Sequence, residues 1–266
     1  MIELLKAWGL HIVATLALLQ PWIIYLWKTF VWTGAVDIYE TGAIEVGYST
    51  FGPTVGLNGT LRAVDRDQFV RSIGLTVTKM KDHSIHSFEW GVFRGGKVTL
   101  STTQDVSLEL PSGFMLTTTQ PYRYNILFID RSLINEMLPH IIKVREEWAK
   151  AIVDLAGTVG VDISVAPDIR KALNDAYKAF TQNPVFSGTL TSIDRFCYWD
   201  AGEYSLEICV NTSRPDQSFS RKWGFEISRI DSDSLRRNSV KVLADSCGRN
   251  VGQYNFAFPR YTKSQT

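Results

Sequence analysis

"YRYNILFIDRSLINEMLPHIIKVREEWAKAIVDLAG", residues 122–157, changes its hydrophobic period partway along. Up to Ile129 the run is short, aromatic and β-branched, as strands are. After Asp130, a residue suited to capping a helix, Ile134, Leu138, Ile141, Trp148, Ile152 and Leu155 recur at three- and four-residue steps. Arg145 interrupts that stripe, Pro139 predicts a break near Leu138, and "GTVG" at 157–160 predicts the end. Adjacent blocks of the two periods define a chain that is mainly β with a helical insertion, an α+β class.

Upstream, residues 36–130 hold seven strand-like runs, from "GAIEVGYS" to "YRYNILFI", separated by Gly, Pro, Asp or Ser. That spacing predicts an antiparallel sandwich or barrel. In "SFEWGVF", period two puts Phe88, Trp90 and Val92 on one face and Glu89 on the other. Downstream, a second helix is predicted from about Pro167 to Gln182. From Val185 the strand period returns in "VFSGTLTSID", "FCYWD", "YSLEICVNT", "KWGFEISRI", "SVKVLADS" and "YNFAFPRY".

The expected organisation is a membrane anchor at 1–33, a sandwich-like β unit at 34–130, a helical hairpin at 131–183 and a β-rich unit at 184–266. The last either stands alone or completes one fold with 34–130. "NGTLRAVD" at 58–65 is echoed by "SGTLTSID" at 187–194, and "EWGVF" at 89–93 by "KWGFE" at 222–226. Duplicated β units would give such an echo, and so would common strand vocabulary used twice.

The anchor expectation rests on "AWGLHIVATLALLQPWIIYLW", residues 7–27, which lacks Asp, Glu, Lys and Arg. As a helix it would be about 31 Å long, close to the roughly 30 Å hydrocarbon core of a bilayer. Trp8 at one end and Trp22, Tyr25, Trp27 and Trp32 at the other are placed as membrane-interface residues. Lys6 and Lys28 bracket the run, and no small-residue cleavage site follows, so a retained single-pass span facing the lipid bilayer is expected. Gln20-Pro21 predicts a kink, and His11 and Thr15 share a helical face. One flanking lysine on each side leaves orientation nearly undecided. The odd cysteine count, Cys197, Cys209 and Cys247, favours a reducing compartment and hence a body facing the cytoplasm.

Charge names no partner: 28 basic against 27 acidic residues leave +1 with no block of like charge, and no nucleic acid is expected. Arg221 and Lys222 beside Trp223, and Arg236 and Arg237, are diluted by Glu226, Asp231, Asp233 and Asp245. Gly91, Gly96 and Lys97 have the GxxxxGK spacing of a phosphate loop, but Val98 replaces the hydroxyl that would hold magnesium. Gly95-Gly96 therefore reads as a hairpin turn. His83 and His86, with Asp82, lack a third metal ligand at a recognisable spacing and read as a hairpin tip. His140 reads as a helix-face residue, and Glu89 and Glu226 as solvent-facing positions opposite core aromatics. No GxSxG, HExxH, GxGxxG or CxxC occurs. No catalytic residue, metal or cofactor is expected. The expected role is binding, scaffolding or accessory, with a protein partner possible through the helix at Ile134–Leu155. Its rivals are a membrane-associated enzyme with a site built from scattered residues, and an anchoring subunit of a larger membrane complex.

Overall fold

The structure is a computed structural model that describes residues 18–27, 34–96, 106–159, 167–213, 216–249 and 252–262. Among the described residues, 18–26 are helical (α1). Eight strands follow: β1 (Ala35–Glu40), β2 (Glu45–Ser49), β3 (Gly52–Val64), β4 (Gln68–Lys79), β5 (Ile85–Gly96), β6 (Val106–Glu109), β7 (Phe114–Leu116) and β8 (Tyr122–Ile129). Three helices come next, α2 (Arg131–Val159), α3 (Pro167–Phe180) and α4 (Pro184–Phe196). The chain ends with β9 (Gly202–Ser213), β10 (Gln217–Ile227), α5 (Arg229–Arg236), α6 (Asn238–Ser246) and β11 (Phe256–Ala257).

Among the described residues the strands form one antiparallel sheet of eleven, in the order β10-β9-β4-β5-β8-β3-β2-β11, in which the segments before and after the helices are joined. β1, β6 and β7 pair beside β3, β5 and β4. β9 runs antiparallel along β4 from Tyr204 to Ser213, so the strands after the helices extend the sheet begun before them. The sheet curls until its margins meet. An Arg221 guanidinium N–H on β10 donates to the Ile38 carbonyl on β1 (3.1 Å). The C-terminal tail joins β2 through β11, then bonds Gly224 of β10 through Thr262.

Period two accounts for most of the interior: Ile73, Leu75 and Val77 of β4, Leu206, Ile208 and Val210 of β9, and Tyr124, Ile126 and Phe128 of β8 are buried. Residues 52–57 of β3 are buried at every position, so both faces are covered there. The helices supply the second cover, with α2 against β3 and α6 against β2. The expected face shared by Phe88, Trp90 and Val92 ends at a bulge. The register with β8 shifts between Trp90 and Val92, so Phe93 joins Trp90 against the core (ring centroids 5.6 Å apart).

Asp130 caps α2 as expected, its carboxylate accepting from the Ser132 and Leu133 amides (3.1 and 3.2 Å). Pro139 does not break the helix. Pro139 and Asn135 are both exposed, so water can meet the carbonyl that loses its intrahelical donor. The buried stripe is Met137, Ile141, Val144 and Trp148, while Leu138 and Arg145 are exposed. The stripe read from the sequence was therefore partly out of phase, and Arg145 does not interrupt it.

Two expected strands are helices. "VFSGTLTSID" lies in α4, where Asn183 caps by accepting from the Val185 amide, Pro184 starts the first turn, and Phe186, Thr189 and Ile193 are buried. "SVKVLADS" lies in α6, with Asn238, Ser239, Val242 and Leu243 buried along one helical face. Val, Thr and Ile favour strands, but burial of one helical face outweighs that modest preference. "FCYWD" runs from the end of α4 into irregular chain, and only Phe256–Ala257 of "YNFAFPRY" is strand. The longer echo thus pairs a strand segment in β3 with a helix, which is no structural repeat.

The N-terminal expectation is also corrected. Among the described residues, no helix is long and apolar enough to cross a membrane. The single-pass anchor is not supported, and the cytoplasmic facing inferred for its body from the cysteine count falls with it. Trp22, Tyr25 and Trp27 are exposed on this segment. Trp8 and Trp32, with most of 1–33, lie outside the described residues.

Candidate functional site

Two polar clusters lie near the β4–β5 turn. The first is a charge network knitting the helices to the sheet. The Lys79 ammonium donates to Asp200 (2.6 Å), and Arg236 donates to Asp200 (2.9 Å) and Asp194 (2.8 Å). The Ser239 hydroxyl adds a bond to Asp194 (3.1 Å). Hydrogen bonding to Asp200 raises the Lys79 pKa, and bonding to Asp194 raises that of Arg236. Lys79 also lies 3.5 Å from Asp82, so both cations are held by carboxylates, three in all, and the network works as a structural clasp. Cys197 is buried nearby, and burial pushes its thiol up to about 12. It stays protonated at neutral pH and makes a poor nucleophile.

The second cluster lies at the sheet margin and is not neutralised. β10 pairs with β9 on one side, and on the other Gly224 exchanges two backbone bonds with Thr262 (3.3 and 2.8 Å). Gly224 permits this approach, since a Cβ there would collide with the Thr262 hydroxyl oxygen. On the face opposite buried Tyr204 and Phe225, Glu203, Ser205 and Glu226 border a cavity of about 310 Å³. Met80, Lys222, Trp223 and Thr262 are also among the residues that line it.

Register brings the carboxylates together: Glu226 is directly opposite Glu203, and Gly224 opposite Ser205. The Glu203 carbonyl accepts from the Met80 amide (2.9 Å) across β4, while Gly224 turns its backbone groups to Thr262. These are therefore the closer, non-hydrogen-bonded pairs of the ladder, with Cα atoms about 4.5 Å apart. Like charges directly opposite destabilise a sheet. Among the described residues neither carboxylate has a cation within ion-pair distance. Ser205 is 8% exposed, and its hydroxyl oxygen is buried without a hydrogen-bond partner.

The other sequence candidates lie apart. His83 is exposed at the turn with φ of 57°, whereas His86 stacks on Tyr198 (centroids 3.6 Å apart, planes 10° apart). Among the described residues no group of three or more His, Cys, Asp or Glu could hold a metal ion. Gly95 and Gly96 extend β5 opposite Ser107 and Val106 instead of forming a two-residue turn, and Lys97 lies outside the described residues. Glu89 is exposed and pairs with Arg131 (3.0 Å). His140 lies on α2 near Phe196 (centroids 6.2 Å apart). Cys197, Cys209 and Cys247 are free thiols, the first and last buried. On α2, Leu138, Ile142 and Val153 are exposed. Sequence reading found Glu226 and missed Glu203, Ser205 and Thr262. Period two marked Glu226 as outward, but only strand register shows what stands opposite it.

His86 makes a stability prediction. Burial lowers its pKa below the ordinary histidine value, opposed by Asp130 and Asp82. Below about pH 6.5 the unfolded chain binds the proton more readily than the folded one, so stability falls as pH drops through that value. Asp82, held down to about 2 by its Ser84 bonds, adds a loss only in stronger acid. In urea denaturation at pH 7.5 and 5.5, His86→Phe is expected to keep the stacked ring and flatten this slope. An unchanged slope would assign the dependence elsewhere.

No protein-family model matches the chain, and no curated protein matches it. Among solved structures, one similar chain is the sporulation control protein Spo0M from Bacillus subtilis, at 8% identity and a TM-score of 0.24. The match covers 77% of this chain and 55% of that one, so the chain spans about half the length of that protein. A likeness of this degree carries no argument about fold or role.

Proposed function

We propose that the protein has a binding role without catalysis, and that the margin cavity between β9, β10 and the C-terminal tail is its recognition site. The observation that supports this is the buried Ser205 hydroxyl, without a partner among the described residues, beside a cross-strand pair of carboxylates with no cation of those residues within ion-pair distance. Unmatched buried polar groups cost stability, which a ligand completing them would recover. The cavity volume is at the small end for ligand sites and suits one small molecule or one long side chain. The nearby thiol, Cys197, is protonated and the nearby cations are tied to carboxylates, which weakens the rival enzyme reading.

A thermal-unfolding screen with cationic, neutral and anionic small ligands tests the proposal. Ligands of this site stabilise by mass action, by about 2.7 kcal/mol at a hundredfold excess over Kd. The shift is expected to vanish in Gly224→Val, whose added side chain collides with Thr262. Equal shifts in both proteins, or none from any ligand class, would overturn the proposal.

A further inference from the structure

Resting on that reading of the margin as a binding site, we infer that the cavity takes a primary ammonium group on a short aliphatic stem. Glu203 and Glu226 stand directly opposite each other, and among the described residues lining the cavity Lys222 alone opposes their negative charges. Lys222 is opposite Glu207, four residues along β9 from Glu203, so the acidic end of the cavity is the end without a cation. Ser205 lies between, its hydroxyl buried and unpartnered. Two carboxylates and one hydroxyl oxygen offer three acceptors, and an ammonium carries three donors around a compact charge. A guanidinium is planar and prefers two parallel bonds to one carboxylate, a poorer match to two side chains facing each other across adjacent strands. A calcium ion takes six to eight oxygens, more than these residues supply. Met80, 46% exposed on the cavity wall, gives the methylenes of a stem apolar surface.

The test is a calorimetric and backbone-amide NMR titration of the full chain. The probes are Nα-acetyl-lysine methylamide, its norleucine analogue in which a methyl replaces the ammonium, n-pentylamine, and calcium. Saturable binding of the lysine probe is expected to perturb Glu203, Ser205 and Glu226 and to weaken as salt rises. Glu203→Gln with Glu226→Gln is expected to weaken it about tenfold or more, and Ser205→Ala several-fold. Pentylamine binding as tightly as the lysine probe assigns the site to free amines, and preference for the lysine probe assigns it to a peptide lysine; both support the inference. The double variant without ligand is also expected to unfold at a slightly higher temperature in low salt, since the facing charges are removed.

Norleucine or calcium binding at these residues as tightly as the lysine probe would overturn the ammonium assignment and leave the binding site standing. Because Lys263 follows Thr262 in the sequence, the titrations are repeated in Lys263→Gln. Binding in either background supports the inference. Absence of any perturbation at these residues by every probe in both backgrounds would overturn the inference and the binding site together.

Discussion

Replacing Asn238 with alanine is expected to cost about 3–5 kcal/mol of unfolding free energy. Asn238 is fully buried at the start of α6, and its amide joins three parts of the chain. It donates to the Tyr48 carbonyl on β2 (2.9 Å) and the Asn255 carbonyl (2.8 Å), and accepts from the Asn255 amide (2.9 Å). Alanine would leave three backbone groups unmatched, each costing about 1–3 kcal/mol when desolvated, with partial relief from relaxation. Asn238→Asp keeps an acceptor for the Asn255 amide but turns a carboxylate oxygen toward a carbonyl, so it is expected to be no better tolerated. Equilibrium urea unfolding reads the cost, and hydrogen exchange at residues 255–257 reads whether the tail loosens. A cost below about 1 kcal/mol would show that the amide does not hold the tail to the sheet.

Trp199→Ala is expected to have an effect of similar size, about 3–5 kcal/mol, for a different reason. The indole is fully buried, stacked at 6.1 Å from Phe88 and edge-on to Tyr204 at 5.8 Å. Its N–H donates to the Gly47 carbonyl on β2 (2.8 Å). Alanine removes both packing and bond, whereas Trp199→Phe keeps much of the apolar volume and loses the N–H. The phenylalanine variant is expected to cost about 1–3 kcal/mol, and the difference between the two apportions cavity against hydrogen bond. Equal costs would mean that packing contributes nothing beyond the bond.

Both substitutions act on β2, the strand to which the helical layer is tied. Tyr48 of β2 donates its buried hydroxyl to the Ile193 carbonyl on α4 (2.6 Å) and lies 3.3 Å from the Met137 sulfur on α2. Trp148 on α2 donates to the Cys247 carbonyl after α6 (2.9 Å), completing the link among the helices. The partners of Tyr48 and Trp148 are not visible in the sequence, because they lie 89 (Met137), 145 (Ile193) and 99 (Cys247) residues away. Hydrophobic periodicity reports which face of an element is buried and carries no information on what lies against it.

The same distinction explains the misread segments. Asp130 is legible as a cap because its side-chain bonds run to Ser132 and Leu133, within three residues of it. Asn183-Pro184 carried an equally local helix-start signal, but the strand-forming residues of 185–194 outweighed it in a reading by composition. At Gly91 the bulge changed the face of every later residue in β5, and strict alternation has no means of anticipating it.

What the sequence determined by itself was the α+β class, the strand-rich block before Asp130, the helix that follows it and the outward position of Glu226. All depend on contacts within a few residues or on a period repeated along one element. Tertiary structure alone decided that the late strands extend the first sheet, that two Val- and Thr-rich segments coil into helices, and that Glu203 faces Glu226 beside Ser205 and Thr262. Those outcomes depend on pairing register and on which buried faces meet, quantities set by the whole chain's packing.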